Sequence, residues 1–120
     1  MADAAFARRI SFNERLYLAE ERRQPGFCIQ LVIEGDGALD IDALRVAVAQ
    51  AAEANPGVRL VRRGVLGWMR WIAAGPVPPV REVRWTEGDP PAELERPLPP
   101  ETGPTCEVVC AGPARLVFRC

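Results

Sequence analysis

Few side chains in this sequence can do chemistry, and their spacing is the first evidence about it. Four cysteines stand at positions 28, 106, 110 and 120. No pair has C-x-x-C spacing, so neither a zinc site nor a redox dithiol is indicated. On one strand Cys106 and Cys110 would lie about 13 Å apart at ~3.3 Å per residue, beyond disulfide reach. All four are therefore expected as free thiols, buried and reduced as in a cytoplasmic protein. A second group, Arg59, Arg62, Arg63, Trp68, Arg70 and Trp71, interleaves guanidinium and indole groups as a stacking platform for single-stranded nucleic acid does. The same pattern fits an amphipathic hairpin with solvated arginines. A formal net charge of −1 favours the hairpin and argues against a nucleic-acid partner.

Two absences narrow the chemistry further. There is no histidine, and all fifteen basic residues are arginine. Without histidine the chain cannot build a Ser-His or Cys-His nucleophile pair, and it lacks the commonest general base and metal ligand near neutral pH. Without lysine there is no Schiff base and no P-loop lysine. A complete enzyme within these residues is not expected.

The elements that position these side chains follow from length and pattern. With 120 residues, 48% hydrophobic and 26% charged, the chain suits one small domain or part of a larger one. The N-terminal residues Met1 to Arg9 hold no apolar core of signal-peptide length, and no later apolar run approaches ~18 residues, so neither secretion by that route nor a membrane span is expected. Ser11 and Glu14 form a capping box opening a helix over roughly 12–23, with Phe12, Leu16 and Ala19 as its apolar stripe. Pro25-Gly26 is read as its stop. Residues 27–33 read as a buried strand. Asp40 caps a second helix, roughly 41–54, with a stripe of Ile41, Leu44, Val48, Ala51 and Ala52.

Residues 58–62 and 65–72 read as a hairpin about Arg63-Gly64. Ten of the twelve prolines fall between 76 and 113, which predicts an extended surface crossover with one short strand near 80–85. Docking of this proline-rich segment on a partner's aromatic groove is a weaker alternative. The closing segments 105–110 and 114–119 alternate about Ala111-Gly112-Pro113. Cys106 and Val108 should face Phe118 and Leu116, while Glu107, Arg115 and Arg119 share the other side, where a cross-strand charge pair is expected. The last strand should present an open edge. The expected class is α+β, a mixed sheet with helices packed on it.

The order of these elements resembles the first half of a condensation-type acyltransferase, the chloramphenicol-acetyltransferase-like superfamily that includes nonribosomal-peptide condensation domains, polyketide-associated acyltransferases and wax-ester synthases. The family opens with a motif of the form S-x-x-Q-x-R-L-W/Y-L, against which Ser11, Arg15, Leu16, Tyr17 and Leu18 line up with Asn13-Glu14 inside. Its G-x-L-D-x-x-A-L-R-x-A segment is matched by residues 37–47. An R-H-E-x-L-R-like motif is reduced here to Ala54-Asn55-Pro56-Gly57-Val58-Arg59, which keeps the arginine and loses the histidine and glutamate. Pro99 to Pro104 stands where the family has P-x-x-x-x-G-P before two strands and the H-H-x-x-x-D-G motif.

The resemblance implies half of a two-subdomain fold, with residues 1–120 as the N-terminal subdomain ending just before the histidine motif and nothing preceding it. It implies a bacterial, cytoplasmic enzyme in which a histidine outside these residues acts as general base. That base serves an amine or alcohol attacking an acyl thioester on coenzyme A or on a phosphopantetheine carrier. No cofactor or metal is implied, and no catalytic residue within 1–120. Ser11, Arg15 and Tyr17 become substrate-channel candidates, and Arg59 a motif remnant. The implied partners are a second polypeptide or chain continuation carrying the histidine motif, and an acyl or peptidyl carrier protein. A non-catalytic module that docks a carrier or subunit on the same scaffold is the alternative, and a small nucleic-acid- or peptide-binding protein a more distant one.

Overall fold

Capping chemistry sets both helices. In the computed structural model, which describes residues 5–24 and 27–120, Ser11 Oγ accepts from the Glu14 amide and the Glu14 carboxylate accepts from the Ser11 amide. This opens α1 (Phe12–Arg23). Asp40 accepts from the Ala43 amide at 3.0 Å and opens α2 (Ile41–Ala54). Both helices cover the spans that patterning predicts; the Pro25-Gly26 stop lies outside the described residues.

The strands form two sheets rather than one. β1 (Ala7–Arg9), β3 (Val61–Arg63) and β4 (Arg70–Ile72) make an antiparallel sheet ordered β1-β4-β3. The predicted hairpin is thus present but shorter, because 3₁₀ turns at Pro56–Arg59 and Leu66–Trp68 take up part of its span. β2 (Gln30–Glu34), β5 (Val80–Val83), β6 (Glu107–Ala111) and β7 (Arg115–Arg119) make a mixed sheet ordered β2-β7-β6-β5, with β5 parallel to β6. The last strand is not an edge, contrary to the sequence reading. β2 pairs with it along its whole length, and β6 takes the other side.

The two faces of the mixed sheet differ. Val109, Ala111 and Val117 pack on Leu94, Val83 and Trp85. Leu94 belongs to a 3₁₀ turn, Ala92–Glu95, inside the proline-rich crossover. That crossover is therefore more than a surface strap: it supplies a core residue and covers one face of the sheet. Prolines suit such a cover because they leave fewer amide donors to satisfy against an apolar surface. Below the crossover Glu107 accepts two 2.8 Å bonds from Arg81 and a third from Arg119, whose other nitrogen donates to the Arg96 carbonyl. The expected cross-strand charge pair thus exists, between Glu107 and Arg119, while Arg115 pairs with Glu34 and lies over the Trp85 ring.

The other face carries Val108, Cys110, Leu116 and Phe118, with Leu31 and Ile33 continuing it across β2. α2 packs against β5 at one side of this face. The β2 side has no cover: every β2 residue is exposed, as is Ile29 at 78%. The buried strand expected over 27–33 is therefore a solvent-facing one. α1 buries none of its residues, so its predicted stripe of Phe12, Leu16 and Ala19 meets solvent. Of the α2 stripe, Ile41, Leu44 and Val48 are half-buried, Ala52 is enclosed and Ala51 is exposed.

One cysteine expectation is overturned. The hairpin register continues from Glu107↔Arg119 to Cys106 and Cys120, which form a disulfide with 4.2 Å between Cα atoms. Cys120 exchanges its backbone bonds with Ile29, the residue before β2, so towards β6 it sits in a non-hydrogen-bonded pair, where opposing residues approach most closely. Spacing within a strand had hidden this contact between strands. Cys28 and Cys110 are free.

Candidate functional site

The opening of α1 concentrates the polar chemistry. β1 delivers Arg8 to the helix N-terminus, where its guanidinium grips both Glu14 oxygens, one at 2.8 Å. The Arg8 hydrogen bond, aided by the Ser11 amide and hydroxyl and opposed by partial burial, draws the Glu14 carboxyl down to about 2. A carboxylate held so firmly ionised is an anchor and not a proton acceptor at neutral pH. Arg8 had no signal in the sequence, because a three-residue strand becomes visible only through its pairing with β4.

One turn along, Tyr17 stacks on Phe27 with ring centroids 5.8 Å apart. Both line a cavity of about 340 Å³ together with Leu18, Ile29, Leu60 and Trp71; Arg8, Glu14 and Glu21 stand at its polar side. Cys28 and Cys120 close it at the end of the mixed sheet. The Trp71 indole N–H is buried without an acceptor. The cavity's volume falls within the usual small-ligand range of roughly 300–1,000 Å³.

The three channel candidates do not share this cavity. Tyr17 lines it, whereas Arg15 lines a second cavity of about 590 Å³ beside Arg9 and Arg70. Two helical residues point about 200° apart, which puts Arg15 and Tyr17 on opposite sides of α1. Ser11 lines neither and is spent on the helix cap. Arg59 acts as a brace: its Nε donates to the Gly75 carbonyl at 3.0 Å, and its own carbonyl accepts from the Gly75 amide at 2.9 Å. A Cβ on Gly75 would meet that carbonyl oxygen at 2.8 Å, so only glycine permits this approach. Among the described residues no cluster of three or more acidic, cysteine or histidine side chains could hold a metal ion.

Neither a protein-family model nor a curated protein matches the chain. Solved structures do. The starter condensation domain of the rhizomide synthetase RzmA matches with a TM-score of 0.62 at 19% identity, over 96% of this chain and 33% of that one. The epimerization domain from the third module of tyrocidine synthetase B matches with a TM-score of 0.67 at 13% identity, over 97% of this chain and 30% of that one. The four-domain nonribosomal peptide synthetase AB3403 matches with a TM-score of 0.70 at 9% identity, over 98% of this chain and 10% of that one. The chain thus has the α+β fold seen in the condensation-type domains of nonribosomal peptide synthetases, as the motif order implied, and spans about a third or less of the chains it resembles. It has no helix long and apolar enough to cross a membrane among its described residues.

Proposed function

We propose that this chain is the N-terminal subdomain of a condensation-type acyltransferase of the chloramphenicol-acetyltransferase-like kind. The observation that carries this reading is the match of almost the whole chain to the same scaffold in separate peptide synthetases. In this reading a histidine on a second polypeptide, or on a continuation of this one, is the general base. It would activate an amine or alcohol to attack an acyl thioester of coenzyme A or of a phosphopantetheine carrier. The chain contributes no catalytic residue. It contributes a wall of the substrate channel: Tyr17 in the apolar cavity beside Cys120, Arg15 on the opposite side of α1, and Ser11 holding the helix between them. Arg59 is proposed to keep only the scaffolding part of its motif. In this reading the site of action is the cytoplasm.

Support also comes from the uncovered apolar residues of α1 and of β2. A second subdomain that covered Phe12, Leu16 and Ile33 would bury apolar surface now facing water. The test is to co-express residues 1–120 with a histidine-bearing C-terminal subdomain and to follow acyl transfer from coenzyme A and carrier-protein thioesters to amines and alcohols. Transfer that disappears when that histidine is replaced supports the reading. A stable complex that docks a carrier protein but transfers nothing replaces it with the non-catalytic module.

A further inference from the structure

The basic–aromatic residues of 59–71 do not act as one platform. The structure separates them into two groups, and one group is joined by arginines from elsewhere. Arg62 pairs with Glu101, and Arg59 is occupied at Gly75. In the three-stranded sheet, however, Arg9 stands directly opposite Arg70, and Arg70 directly opposite Arg63. Residues in one such row project from the same face, with neighbouring Cβ atoms about 5 Å apart. Arg15 comes from α1 to the same place, and with Arg9, Arg70, Trp68, Met69 and Ile10 it lines the cavity of about 590 Å³.

This row has no internal compensation. Among the described residues no carboxylate pairs with Arg9, Arg15 or Arg70, and Arg63 spends one nitrogen on the Arg62 and Glu101 carbonyls. Like charges directly across a strand pair destabilise a sheet, so nothing in the free chain rewards this arrangement. The aromatic beside it is also held out at a cost. Trp68 is 83% exposed at the end of a 3₁₀ turn whose first residue, Leu66, adopts φ 49°. Gly64, at φ 94°, lets the chain pass so closely that a Cβ there would meet the Trp68 carbonyl oxygen at 2.6 Å. Strained backbone of this kind gathers at ligand-holding positions.

We propose that Arg9, Arg15, Arg63 and Arg70, with Trp68, form a binding site for a phosphorylated nucleotide. The guanidiniums would take the phosphate oxygens in forked, charge-assisted bonds, and the exposed indole would stack on the base. The concave wall and single aromatic fit a small ligand with one ring better than a long strand, which needs successive stacking surfaces. If the acyl-transfer reading holds, and this identification rests on it, the ligand is the nucleotide end of coenzyme A.

The test is titration of residues 1–120 with coenzyme A, ADP, pyrophosphate and pantetheine, read by tryptophan fluorescence and thermal unfolding. Coenzyme A and ADP should quench fluorescence and raise the unfolding temperature, pyrophosphate should raise the temperature without quenching, and pantetheine should do neither. Arg70→Gln and Arg9→Gln should each weaken binding roughly tenfold, the loss of about one charge-assisted pair. These variants also remove repulsion, so the free chain should unfold at the same temperature or higher. Trp68→Ala should weaken ADP and leave pyrophosphate unchanged. Binding that ignores Arg70→Gln, or that favours single-stranded oligonucleotides or acidic peptides over ADP, overturns the site. Because binding is read without turnover, the two readings separate: absent binding with intact acyl transfer removes only the nucleotide site, and intact binding without transfer removes only the acyltransferase reading.

Discussion

At Glu14 one carboxylate does two jobs, capping its own helix and receiving Arg8 from a neighbouring strand. The folded carboxyl lies at about 2, below its unfolded value, so its contribution to stability is complete above the ordinary carboxylate range. It is lost as pH falls from there through the folded value. Glu14→Gln should therefore cost about 1 kcal/mol at neutral pH, a typical helix-cap loss, and much less near pH 2. Urea unfolding of the two proteins at both pH values checks this, and a difference unchanged by acid would contradict it. The cap was legible in the sequence because its spacing is local. Arg8 was not, since the interaction that recruits it is a strand pairing more than sixty residues away in sequence.

The elements show the same division between local and distant information. Both helices, the β5 strand and the closing hairpin could be read from period and capping, but not the hairpin's register, which sets Phe118 and Leu116 opposite Val108 and Cys110 rather than Cys106 and Val108. The order of strands could not: β7 lies inside the sheet because β2 returns to cover its edge. The register that brings Cys106 to Cys120 is equally non-local. The ion cluster beneath the crossover is where an element-scale prediction belongs. Burial works to raise the Glu107 carboxyl, but hydrogen bonds from Arg81 and Arg119 outweigh it and hold it below the usual range. Replacing it by Gln leaves Arg119, which is fully buried and already has one unpartnered nitrogen, without its counter-charge. Loss of one partner from a buried pair typically costs about 3–5 kcal/mol. Glu107→Gln should lower stability by that order at neutral pH, and the gap to the parent should narrow as acid protonates Glu107. Chemical denaturation from pH 7 downward measures both, and a loss under ~1 kcal/mol would show that the crossover is held by Leu94 and its apolar neighbours instead.

The whole molecule is a slab measuring 46 × 40 × 18 Å. Its radius of gyration, 15.6 Å, exceeds the about 14 Å expected of a compact domain this long. An 18 Å thickness leaves room for only two layers of secondary structure, with sheet and cover about 10 Å apart. The crossover fills one of them, and the apolar residues of α1 and β2 remain outside. The sequence already implied this shortage, since the two helix stripes needed more apolar surface than short strands could offer. It placed the exposed edge wrongly, on β7 instead of on the α1 and β2 surfaces. Purified alone, residues 1–120 should therefore self-associate through these exposed apolar residues, which light scattering during size-exclusion chromatography would detect. Phe12→Glu with Leu16→Glu should reduce the association. Because the two side chains are 74% and 56% exposed, the pair of substitutions should change unfolding free energy by no more than about 1 kcal/mol. A parent chain that runs as a monomer with cooperative unfolding would overturn this expectation. So would a double variant that unfolds, because Phe12 and Leu16 would then be core residues of the chain itself rather than a surface awaiting cover.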